Sequence, residues 1–93
     1  MRARALRESR VEAERLVLGT RSALTADGDL LGAAERADIE SRIDAVQRSA
    51  AGDDHRAIDA AVEGLAQGTE GFAAERMNRG IRDALAGRRI ADL

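Results

Sequence analysis

Few residues in this chain are of a kind that does chemistry, and they are scattered. His55 is the single histidine and follows two carboxylates, Asp53 and Asp54. Acid–base or nucleophilic catalysis needs a positioned base beside a nucleophile or a second titrating group. Nothing of that kind accompanies His55, which the pattern places on the surface at a helix N-terminus. Asp27-Gly28-Asp29 offers two acids around a glycine, as at the start of a calcium loop. The further oxygen ligands of such a loop are missing, and Asp38, at the closing position, falls inside a helical pattern. There is no cysteine, which excludes disulfides and thiolate metal sites. No glycine loop follows a strand to cradle phosphate. The residues therefore predict no catalytic, cofactor-binding or metal site, and they point to a binding or structural element.

The elements that would position any site are helical. Ninety-three residues make one domain or a fragment of a larger protein, with a thin core. Apolar residues are 44% of the chain, but many are alanine and Phe72 is the only aromatic. Alanine favours helix and lets helices pack closely, while each one buries little area. Proline is absent, so no helix is interrupted by it. No run approaches the roughly 20 apolar residues of a membrane span, and the arginine-rich start does not lead into a secretion signal. That start reads as readily as an internal fragment as a natural beginning.

The net charge of −2 conceals a pattern. Residues 1–26 carry six Arg and three acids, 27–75 four Arg and twelve acids, and 76–93 five Arg and two acids. All fifteen basic residues are Arg. Nucleic-acid binding would want denser basic clustering with aromatic platforms, so solvated helix faces are the expectation.

Taken in order, the pattern predicts an antiparallel bundle of three long helices over about 3–26, 33–51 and 53–86. In the first, Leu6, Ala13, Leu16, Val17, Thr20, Ala23 and Leu24 form a stripe, with Val11 and Leu18 off it. Arg4–Glu8 and Arg10–Glu14 are spaced as i,i+4 pairs. Its amino-terminal half is poorer in apolar residues, which predicts a helix protruding from the bundle. Gly28 is expected to end it in a left-handed conformation, with Leu30 and Leu31 capping the core. Gly32 and Glu35 resemble a capping box without its hydroxyl, and Ile39, Ile43, Val46 and Ala50 trace a narrow seam. Asp53 is expected to cap the third helix, which carries Ile58, Val62, Leu65, Thr69, Phe72, Met77, Ile81 and Leu85. Gly64, Gly68 and Gly71 predict a bend or split near Gly68, or close approach of another helix. Gly87 should stop the helix before a flexible tail at 88–93. The expected core is Leu16, Leu24, Leu31, Ile39, Ile43, Val46, Ile58, Val62, Leu65, Phe72 and Met77, with Phe72 where the helices converge.

Two stretches in order carry a resemblance: ALTADGDLLGAAER over residues 23–36 and TEGFAAERMNRGIRDALAG over 69–87, separated by the acidic turn Gly52-Asp53-Asp54. Together with Arg2-Ala3-Arg4-Ala5-Leu6 they resemble the C-terminal helical lid of Hsp70 chaperones, nearest to the iron–sulfur assembly members. The resemblance covers nearly the whole chain. Gly32, in place of a hydroxyl cap, and Glu75, in place of a base, are its visible departures. It implies a nonenzymatic lid subdomain over 1–93, belonging to a cytoplasmic chaperone whose ATPase and peptide-binding β-sandwich lie upstream. ATP would serve the parent protein, with no cofactor in this segment. The implied partners are the β-sandwich of the same chain, an iron–sulfur scaffold client and a J-type cochaperone, with no nucleic acid and no membrane. Lid helices can latch to sandwich loops through salt bridges, and Glu14 or Arg15, midway along the first helix, would be that latch. The alternative is a free-standing helical interaction or dimerisation module using the Leu6–Leu18 face.

Overall fold

The computed structural model describes Arg2–Ala91, with side chains from Ala3 to Gly87. Four helices account for nearly all of it: α1 (Arg2–Asp27), α2 (Ala33–Ala50), α3 (His55–Gly68) and α4 (Glu70–Ala91). A short 3-10 turn at Gly28–Leu30 joins α1 to α2. Three long helices were expected, and the difference lies at Thr69. The third apolar run is two helices meeting at that single residue, whose φ is −102° and ψ 0°.

Thr69 interrupts the helix for a single residue. Its hydroxyl donates to the carbonyls of Leu65 and Ala66, both at 3.1 Å, and its N–H is shared between the same two. A threonine that bonds back to the preceding turn competes with the regular ladder and bends it. The Ala73 N–H still reaches the Thr69 carbonyl at 2.8 Å, so α4 starts at once.

Direction follows from the cross-links. Arg10 of α1 reaches the Ala50 carbonyl, whereas Arg21 faces Glu40 and Gln47, so α2 runs antiparallel to α1. Ser9 meets Asp59, and Arg42 of α2 meets Gly64. The third run is therefore antiparallel to α2 and parallel to α1. The first helix does not protrude. Ser9 and Ala13 are buried, and Leu6 packs against the core, because α3 lies along this half. The element that projects is α4, where every described side chain after Phe72 is exposed except that of Arg79, which is half-buried.

The core is centred on α2 and α3. Ile39, Ile43, Val46, Ile58 and Leu65 are the large side chains sealed from solvent, at the seam spacings of those two helices. Leu24 and Phe72 are also buried, and Leu16, Leu30, Leu31 and Val62 pack partly buried around them. Phe72 thus closes the α1–α4 junction, while the helices converge elsewhere. Met77 is not core: it is 68% exposed, and Ile81 and Leu85 are each 52% exposed. The reason is geometric. Five residues separate Phe72 from Met77, which turns the side chain about 140° around the helix and away from α1.

Local expectations fare differently. The Arg4–Glu8 pair forms at 3.2 Å. Arg10 leaves Glu14 for the α2 C-terminus, donating to the carbonyls of Ala50 at 3.1 Å and Gly52 at 2.8 Å. A guanidinium there satisfies carbonyls that a helix end leaves without partners. The Gly32 N–H donates to Glu35 at 3.3 Å, the half of a capping box that glycine can make. Asp54, rather than Asp53, caps α3, accepting from the Arg56 N–H at 3.0 Å. Gly28 does not have a positive φ; no described glycine does. A Cβ there would lie 2.6 Å from Arg36 Nη1, the end of a flexible side chain that can move aside. Gly87 does not stop α4, which continues to Ala91; of the expected tail, Asp92 and Leu93 lie outside the described residues.

Candidate functional site

The most reactive-looking cluster is one that the sequence does not advertise. Ser9 Oγ donates to Asp59 Oδ1 at 2.6 Å, and His55 Nδ1 lies 3.7 Å from Asp59 Oδ2. Serine, aspartate and histidine meet, but in the wrong order for nucleophilic catalysis. An activated serine must give its proton to the imidazole, with the carboxylate orienting that imidazole from behind. Here the carboxylate stands between them, and the serine proton points at it. The cluster is a polar cross-link from α1 to α3. Ser9 is found in sequence only by its position, three residues after Leu6 and four before Ala13, inside the apolar stripe.

A second cluster joins elements fifty residues apart. Asp27, the last residue of α1, accepts from Arg76 Nε at 2.8 Å and from Arg79 Nη1 at 3.1 Å. Asp29 in the 3-10 turn accepts from Arg79 Nη1 at 2.9 Å and Nη2 at 2.6 Å. The Arg76 hydrogen bond does most to hold the Asp27 carboxyl below its usual range, helped by Arg79. Arg79 holds Asp29 down in the same way, and these two acids, Asp29 foremost, push the guanidinium still higher. Arg76 also lies over the Phe72 ring, 5.8 Å from its centroid, within cation–π range. The two acids that sequence alone sets beside a calcium loop are thus engaged by arginines.

The glycine-rich run has a similar explanation. Arg42 of α2 lays its side chain across α3, donating to the Gly64 carbonyl at 2.7 Å and to Asp38 at 2.9 Å. A Cβ on Gly68 would collide with Arg42 Cδ. The close approach expected around these glycines is made by one arginine side chain.

Among the described residues there is no group of three His, Cys, Asp or Glu that could hold a metal ion. No buried polar side-chain atom among them lacks a partner, so no orphan group waits for a ligand. No described helix is long and apolar enough to cross a membrane. What remains is surface. Val11 and Leu18 are 48% and 62% exposed on the outer side of α1, seven residues apart and hence on one face. Glu14 and Arg15 lie exposed between them, without an ion-pair partner among the described residues. A second stripe, Met77, Ile81 and Leu85, lies on the side of α4 turned from the bundle.

Comparison with known proteins gives these surfaces a context. No family model matches the chain. Over all 93 residues it is 66% identical to a chaperone protein HscA homolog of Methylibium petroleiphilum. It is 59% identical to one of a Janthinobacterium species and 57% identical to one of Burkholderia thailandensis, again over its full length. In each case the chain spans 15% of the relative's length.

Proposed function

The chain is similar throughout to a segment of HscA chaperones of the Hsp70 family, and from that premise we propose that it is their C-terminal helical lid. The observation that carries the reading is the 66% identity, spread over all 93 residues, to 15% of a much longer chaperone. A helical bundle without an assembled reaction site suits such a part. In this reading residues 1–93 form one lid subdomain, the parent protein hydrolyses ATP in a domain outside this chain, and the segment itself is nonenzymatic.

The mechanism follows from what a rigid cover does to a bound peptide. An extended client in a β-sandwich groove leaves by moving away from the groove, and a lid across the exit adds a barrier to that step. The outer face of α1, with Val11 and Leu18 exposed, is the surface we assign to the sandwich. Glu14 or Arg15 on the same helix would form the latch to a sandwich loop. The α2–α3 pair behind it stiffens α1. The client would be an iron–sulfur scaffold protein delivered by a J-type cochaperone, in the cytoplasm, during cluster assembly.

The test compares client-peptide release from the sandwich with and without this segment. Slower release with the segment is expected, and equal rates would sink the reading. Glu14→Ala and Arg15→Ala in the lidded protein identify the latch, because only the latching side chain speeds release. A free-standing dimerisation module would instead show concentration-dependent sedimentation and leave release untouched.

A further inference from the structure

Beyond Phe72, α4 has almost nothing to hold it. Phe72 is its only buried side chain among those described, and from Ala73 to Gly87 only Arg79 is even half-buried. The helix nevertheless lies in a defined direction, and the groups that define it are few. Arg76 and Arg79, seven and ten residues past Thr69, are gripped by Asp27 and Asp29 at 2.6–3.1 Å. At the near end Thr69 breaks the helix, and Gly71 has open space where a Cβ would stand. A short irregularity beside a glycine is where backbone angles change at least steric expense.

We infer that α4 is a hinged arm, pivoting at Thr69–Gly71 and latched to the α1–turn corner by Asp27 and Asp29 gripping Arg76 and Arg79. With the latch closed, the stripe of Met77, Ile81 and Leu85 is carried at a set angle away from the bundle. With it open, the arm beyond Phe72 swings about that ring, which stays in the core. Meanwhile α1, α2 and α3 remain packed, because the fully sealed side chains Ile39, Ile43, Val46, Ile58 and Leu65 all lie on α2 and α3. Ion pairs this exposed are individually weak and screened by salt, so the latch opens reversibly. The inference concerns only this chain and does not rest on the lid reading.

The absence of native cysteine makes the test direct. Spin labels on the exposed positions Ser22→Cys and Ala84→Cys report the arm, and labels on Ser22→Cys and Ser41→Cys report the bundle. Arg79→Met is expected to broaden the arm's distance distribution and shift its maximum, leaving the bundle's distribution and the helix content unchanged. Arg79→Lys should restore part of the narrow distribution. Salt at about 1 M, where the screening length falls to about 3 Å, should act on the otherwise unaltered chain as Arg79→Met does. If Arg79→Met lowers helix content, the salt titration decides. An arm distribution insensitive to both changes would overturn the inference, as would a bundle distribution that broadens in step with it.

Discussion

Arg79 holds Asp29 through two parallel hydrogen bonds, Nη1 to Oδ1 at 2.9 Å and Nη2 to Oδ2 at 2.6 Å, across fifty residues of chain. A forked guanidinium facing a carboxylate is the strong form of a surface ion pair, because two bonds fix its geometry. Asp27 shares the same arginine and adds Arg76. The only other described ion pair between residues more than forty positions apart is Arg10 with Asp53 at 3.7 Å. Among the described residues, the attachment of α4 thus carries the densest set of ion pairs between distant parts of the chain.

Acid should loosen that attachment. Arg76 and Arg79 depress the carboxyls of Asp27 and Asp29 in the folded chain, so the unfolded state binds protons more readily. Their contribution is fully present above the ordinary aspartate value of about 3.9 and is lost as pH falls through the lower folded values. The Asp27 and Asp29 carboxyl resonances followed by NMR should have midpoints below the ordinary aspartate value of about 3.9. Midpoints at that value would contradict the pairing.

Phe72→Ala should destabilise the fold by about 3–5 kcal/mol, the usual range for a buried ring, since Phe72 is only 5% exposed. Met77→Ala should fall within about 0.5 kcal/mol of the parent, as surface substitutions do. Urea denaturation of the two variants measures both. Similar losses would mean that Met77 is packed after all.

Gly68→Ala and Gly19→Ala should differ in sign. Neither glycine has a positive φ, and a Cβ on Gly19 meets nothing within 4 Å, so alanine there should add up to about 1 kcal/mol of helix stability. At Gly68 the new methyl expels Arg42 and its bond to the Gly64 carbonyl. Loss of a hydrogen bond from a charged donor costs about 1.5–3 kcal/mol, outweighing the propensity gain. Denaturation midpoints that move together would refute the role given to Arg42.

Ser9→Ala should cost about 1 kcal/mol, the ordinary net worth of one hydrogen bond. The Asp59 carboxylate is 60% exposed, so water replaces the lost hydroxyl and the penalty stays at that level. A loss of several kcal/mol in thermal unfolding would show that the Ser9–Asp59 link organises more than one helix pair.

Periodicity made α1 and α2 and most of the core legible. Ile39, Ile43 and Val46 recur at helical spacing, and such spacing determines which side of a helix is apolar whatever it packs against. The resemblance was legible too, since its two ordered stretches are plain sequence. What an apolar side meets is another matter. Met77, Ile81 and Leu85 have the same spacing as a core seam, yet they face outward, because α4 has already turned past Phe72 and no helix lies beyond it. The two acids around Gly28 read as a broken metal loop until the fold brings Arg76 and Arg79 to them. Arg10 likewise ignores a neighbour four residues away for carbonyls forty residues on. Sequence by itself determined the helices and their apolar sides, since these arise from local geometry repeated every 3.6 residues. Only the tertiary structure decided which sides found a partner and which charges met, because these depend on chain reversals that bring distant residues together.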